Sequence, residues 1–135
     1  MDFARIKWML YLDDVGPDSG CLRVIPGSHK MPLHKRLAKQ ETDPEIRPFG
    51  VEGRNIPAVS LASRPGDLIL FSHTLWHAAF GGSTRRRYLA LKFSGMPTAD
   101  HHFESLRKYS RSAFEPHKNF VNSDDARIRS MVQIL

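Results

Sequence analysis

Asp67-Leu68-Ile69-Leu70-Phe71-Ser72-His73-Thr74-Leu75-Trp76-His77-Ala78-Ala79-Phe80-Gly81-Gly82-Ser83-Thr84-Arg85-Arg86-Arg87-Tyr88 is the stretch that sets the architecture. Its apolar run Leu68–Phe71 follows the turn Pro65-Gly66-Asp67, and Gly81-Gly82-Ser83 turns the chain again before a second run, Tyr88–Phe93. Short β-rich runs punctuated by Gly and Pro predict strands of an antiparallel sandwich or barrel. A histidine closing one strand and an arginine opening the next would put both side chains at one barrel mouth. An imidazole there can ligate a metal, and a guanidinium can hold a carboxylate through two parallel hydrogen bonds. Such a pair suits a small molecule that chelates at one end and salt-bridges at the other.

Working outward, Ile6–Leu12 reads as a buried strand ended by Asp13-Asp14. Gly16-Pro17-Asp18-Ser19-Gly20 is a turn, and Cys21–Ile25 is a second β-rich run stopped by Pro26-Gly27-Ser28, so the two runs are expected to form a hairpin. Residues 30–57 are polar and proline-rich. They predict a short helix over Leu33–Gln40 inside a long loop, of the kind that serves as a lid or binding loop. Val59–Leu61 is a further strand. Beyond Pro97, Phe103, Leu106 and Tyr109 lie near helical spacing. Asn122-Ser123-Asp124-Asp125 reads as an N-cap for a terminal amphipathic helix carrying Ile128, Met131, Val132 and Leu135. The expected class is mainly β with C-terminal helices, a β core over residues 1–96 and a helical extension over 97–135.

At 135 residues and 41% hydrophobic, the chain has the composition of an ordinary globular domain rather than a disordered or fibrous one. Its net charge of +6 invites a nucleic-acid reading. The cations are dispersed, however, and only Arg85-Arg86-Arg87 is dense; attraction for an anionic small molecule explains them better. No apolar run approaches the ~20 residues of a membrane span, and no leader sequence is visible after Met1. With one cysteine, Cys21, no internal disulfide can form. A cytoplasmic location, with neither nucleic acid nor membrane as partner, is the expectation.

Of the seven histidines, His73 and His77 flank the end of the clearest strand. A zinc site from their spacing would need a helix, whereas the surrounding residues read as strand and turn, and Thr74 follows His73 where a His-Glu-x-x-His pattern needs Glu. His102-Phe103-Glu104 sits in the expected helix, where its two side chains diverge.

Three segments in order resemble the phytanoyl-CoA dioxygenase family of Fe(II)/2-oxoglutarate-dependent oxygenases. The first is Trp8–Val15 running into Ser19-Gly20-Cys21-Leu22-Arg23-Val24-Ile25-Pro26-Gly27-Ser28-His29, with Ser19 in place of the usual Asn. The second is Pro65–Phe71, and the third is Leu75-Trp76-His77 with the arginine strand after it. The resemblance implies a partial double-stranded β-helix (jelly roll), with Fe(II) and 2-oxoglutarate as cofactors and a small-molecule substrate. It makes His77 the distal metal-binding histidine. It places the arginine that grips the far carboxylate of 2-oxoglutarate at Arg86, seven residues before Phe93, with Arg87 as the alternative. Trp8 matches a position that often lines the co-substrate pocket. The implied reaction hydroxylates an unactivated C–H, with halogenation as the variant some relatives carry out.

The family's His-x-Asp metal pair normally precedes the strand holding Trp8, and no match to it follows Met1. The chain is therefore expected to be the C-terminal part of a longer enzyme, inactive by itself. The rival reading is a degenerate β-helix that binds ligands without a metal. In either case, open sheet edges and an exposed apolar face are expected to invite homodimerisation.

Overall fold

The computed structural model describes residues 4–41, 50–82, 86–110 and 116–132. They form two compact units, residues 1–94 and 95–135. The first unit carries strands β1 (Arg5–Tyr11), β2 (Leu22–Val24), β3 (Val59–Leu61), β4 (Leu68–Ser72), β5 (His77–Ala78) and β6 (Tyr88–Ser94), with helix α1 over Leu33–Glu41. The second carries α2 (Asp100–Ser110), α3 (Lys118–Val121) and α4 (Ala126–Ser130). The mainly β class with C-terminal helices is as the sequence implied.

The strands make two antiparallel three-stranded sheets, ordered β4-β1-β6 and β3-β2-β5. The expected hairpin does not form, because β1 and β2 lie in different sheets. After β1 the chain leaves the first sheet instead of turning back along it. Val15 exchanges backbone hydrogen bonds with Ser63 at 2.8 and 3.0 Å, and the amides of Ser19 and Cys21 both donate to the Gly16 carbonyl at 3.1 Å. This closed loop delivers Leu22 to the opposite sheet. The turn residues were legible, but which sheet would receive the chain was not.

The core lies between the sheets: Met9, Tyr11, Val15, Cys21, Leu22, Val24 and Phe71, with Leu61, Ile69, Leu75 and Tyr88 packed against it. Because side chains alternate along a strand, the cross-strand register sorts the first sheet into two faces. Lys7, Phe71 and Lys92 align, as do Met9, Ile69 and Ala90, and Tyr11 aligns with Tyr88, all on the core side. Ile6, Trp8 and Leu10 occupy the other side, opposite Leu68, Leu70, Leu89, Leu91 and Phe93. That outer face is largely uncovered among the described residues: Leu70 is 61% exposed and Leu89 55%.

The second unit departs from expectation at its end. Asp125, not Asn122, caps α4, its carboxylate accepting from the Arg127 amide at 2.8 Å. The helix stops at Ser130, so Met131 and Val132 lie in a turn beyond it, while Leu135 lies outside the described residues. One helical turn cannot align the four apolar positions into a stripe. No helix among the described residues is long and apolar enough to cross a membrane.

Candidate functional site

His77 opens β5 and pairs with Val24 of β2, although the sequence offers only two residues of strand there. Its placement comes from the turn before it. The Trp76 amide donates to the fully buried Ser28 hydroxyl at 2.9 Å, and the Ile25 amide donates to the Trp76 carbonyl at 3.0 Å. The His77 ring lies edge-on to Phe71, centroids 4.9 Å apart, on the core side of the first sheet. Its Nδ1 is 2.6 Å from the Leu75 carbonyl. A carbonyl only accepts, so Nδ1 carries the proton and Nε2 keeps its lone pair, the arrangement a metal-binding imidazole uses. Burial pushes the ring's pKa below its ordinary value, with Lys7 and Lys92 adding to the effect, against the Leu75 contact. The neutral, ligating form is favoured.

Arg86 lies two residues ahead of β6, which opens at Tyr88. Its guanidinium lies 5.1 Å above the Tyr88 ring, and Nη1 donates to the Gly20 carbonyl at 2.8 Å. No carboxylate pairs with it among the described residues, which leaves most of its five donors for a ligand. Arg87 is the opposite case: it is exposed and held by Asp13, whose carboxylate accepts from its backbone at 2.7 Å and its Nη2 at 2.8 Å.

The cations on the core side act on one another. Burial lowers the Lys7 pKa, and the charges of Lys92 and Arg86 lower it further. His73 is lowered by burial first, then by Lys92 and Lys7. Tyr11 is fully buried with no hydrogen-bond acceptor for its hydroxyl among the described residues. Burial raises its pKa, offset in part by the Arg86 charge and by the Leu22 backbone, which lies against the phenolic oxygen.

His77 thus lies against Phe71 and Arg86 over Tyr88, two residues that the register puts on the core side of the first sheet. Trp8 is not on that side: it stacks on Phe93 with centroids 6.4 Å apart, on the outer face. No group of three His, Cys, Asp or Glu side chains among the described residues could hold a metal. Sequence reasoning missed Lys7 and Lys92. The period-two relation of Lys7 to Met9 and Tyr11, and of Lys92 to Ala90 and Tyr88, was the available signal, and it was hidden because Lys7 looked like a polar interruption in an apolar strand.

Residues 3–88 match the Phytanoyl-CoA dioxygenase (PhyH) family. The chain belongs to that family. It shares with other phytanoyl-CoA dioxygenase-family proteins the lineage of Fe(II)/2-oxoglutarate-dependent oxygenases. Among solved structures, AviO1 from Streptomyces viridochromogenes Tue57 is similar at 26% identity and TM-score 0.50, over 71% of this chain and 38% of that one. EvdMO1 is 31% identical with TM-score 0.48, over 70% of this chain and 20% of that one. HygX from Streptomyces hygroscopicus, solved with nickel and 2-oxoglutarate bound, is 24% identical with TM-score 0.48, over 67% and 35%. No curated protein matches. The chain therefore spans well under half the length of these solved structures, and its mainly β fold with small helices is similar to that of AviO1.

Proposed function

We propose that this chain carries the co-substrate anchor and one metal ligand of an Fe(II)/2-oxoglutarate-dependent dioxygenase that hydroxylates an unactivated C–H of a small molecule. The observation that carries the reading is Arg86: partly buried, fixed in direction, and lying over Tyr88 without a carboxylate partner among the described residues. A dicarboxylate is the ligand such a guanidinium lacks. Lys7 and Lys92 extend the positive field along the same face, which favours a dianion over a neutral molecule.

Arg86 would bind the far carboxylate of 2-oxoglutarate, and His77 would supply one nitrogen to the iron. The remaining metal ligands come from outside the described residues, because one imidazole holds iron too weakly by itself. Bound Fe(II) and 2-oxoglutarate together would supply the oxidising power for C–H hydroxylation. Along β1 the levels of Phe71 and Tyr88 are separated by Lys7 to Tyr11, about 13 Å of strand. Two inward-reaching side chains and a short dicarboxylate can bridge that distance. Trp8 lies outside this pocket, and Arg87 is the surface arginine.

Anaerobic titration with Fe(II) and 2-oxoglutarate, following the visible charge-transfer band in protein that also supplies the remaining metal ligands, tests the proposal. The band is expected to be lost in His77→Ala and in Arg86→Ala. A band unchanged by His77→Ala would overturn the metal assignment. Binding of 2-oxoglutarate with no band under any condition would favour the second reading, a β-helix module that binds anions without iron.

A further inference from the structure

We infer that Gly20 and Tyr88 are positioning residues for Arg86, forming a socket that holds the guanidinium aimed at the far carboxylate; this rests on the co-substrate reading above. Gly20 is buried with φ +93°, a conformation that only glycine adopts without strain. A Cβ built on it would lie 2.8 Å from Arg86 Cδ, 3.2 Å from the Gly81 carbonyl oxygen and 3.3 Å from Gly82 Cα. The first contact is with the arginine's own stem. The space where residue 20 would carry a side chain is the space through which Arg86 runs.

The rest of the socket is equally tight. Ser19 and Gly81 form a backbone bridge, and a Cβ on Gly81 or Gly82 would run into the carbonyls of Asp18 and Ser19. Two loops are thereby packed backbone to backbone, and the Gly20 carbonyl at their seam accepts from Arg86 Nη1. Tyr88 closes the opposite side beneath the guanidinium plane. A free arginine side chain loses considerable rotamer freedom when it binds. One hydrogen bond and one stacking surface remove that loss before the ligand arrives. A loose Arg86 would still be a cation near the pocket; a socketed one selects a carboxylate at a fixed place.

The readout is the preference of the metal-free chain for 2-oxoglutarate over 2-oxobutyrate, which lacks the far carboxylate, measured by NMR titration of the arginine Nε–H signals. The unaltered chain is expected to prefer the dicarboxylate, and Arg86→Ala to erase the preference. Gly20→Ala and Tyr88→Leu should each reduce it about tenfold, the worth of one charge-assisted contact. Gly16→Ala lies in the same loop, where a Cβ would meet nothing closer than 3.7 Å, and should leave the preference intact. Melting curves identify any variant that fails to fold; if Gly20→Ala does, Tyr88→Leu decides. A preference retained in folded Gly20→Ala and Tyr88→Leu overturns the socket and leaves the role of Arg86 standing. No preference in the unaltered chain overturns the co-substrate reading, and the socket with it.

Discussion

Asp13 grips Arg87 through three atoms, the backbone amide, Nε and Nη2, and holds it at the surface, while its neighbour Arg86 lies over the Tyr88 ring. The same contact holds the Asp13 carboxyl below its ordinary pKa, through the Arg87 side chain first and its amide second.

Arg86→Ala is accordingly expected to abolish 2-oxoglutarate binding in calorimetry, and Arg87→Ala to leave it within about twofold, because exposed ion pairs contribute little. Equal losses from both variants would remove the assignment of Arg86.

Tyr11→Phe should stabilise the fold by about 1 kcal/mol in urea melts. The native hydroxyl is buried with the Leu22 backbone against its oxygen but no acceptor for its proton among the described residues, and an unmade buried donor bond costs about 1–3 kcal/mol. A destabilised variant would show that the hydroxyl has a partner.

Acid should weaken the fold in a defined window. His73 and His77 both have pKa values lowered from 6.5. As pH falls below that value the unfolded chain takes up protons that the native rings refuse, so stability drops, and the slope vanishes once pH passes the depressed native values. His77→Asn and His73→Asn should each flatten the urea midpoint against pH between neutrality and that limit. An unchanged slope in both would mean the rings are not desolvated.

Lys7→Met is expected to raise the melting temperature by about 2–4 °C, since it removes a desolvated charge beside Lys92. It should also weaken 2-oxoglutarate binding severalfold. A variant that binds as well as the original would take Lys7 out of the co-substrate field.

The strand order along the chain and the turn glycines were legible, because period-two runs and Gly/Pro clusters are local signals. His77 and Arg86 were singled out through the family resemblance, and their roles as metal ligand and co-substrate anchor are the proposal made above. The crossing after Tyr11 was not, since Gly16–Gly20 has the composition of a hairpin turn and its destination depends on the distant Ser63. The two-residue strand at His77 was invisible for a similar reason: Ser28 and Ile25 place it, about fifty residues earlier. Trp8 misled because an aromatic in a core strand says nothing about which side of the sheet it occupies.

The first sheet is apolar on both sides. Its core side carries Met9, Tyr11, Ile69 and Phe71 beside Lys7 and Lys92, and its other side carries Ile6, Trp8, Leu10, Leu70, Leu91 and Phe93. Oiliness therefore does not tell the two sides of this sheet apart; the paired lysines do, because among these positions they alone bring charge to one side.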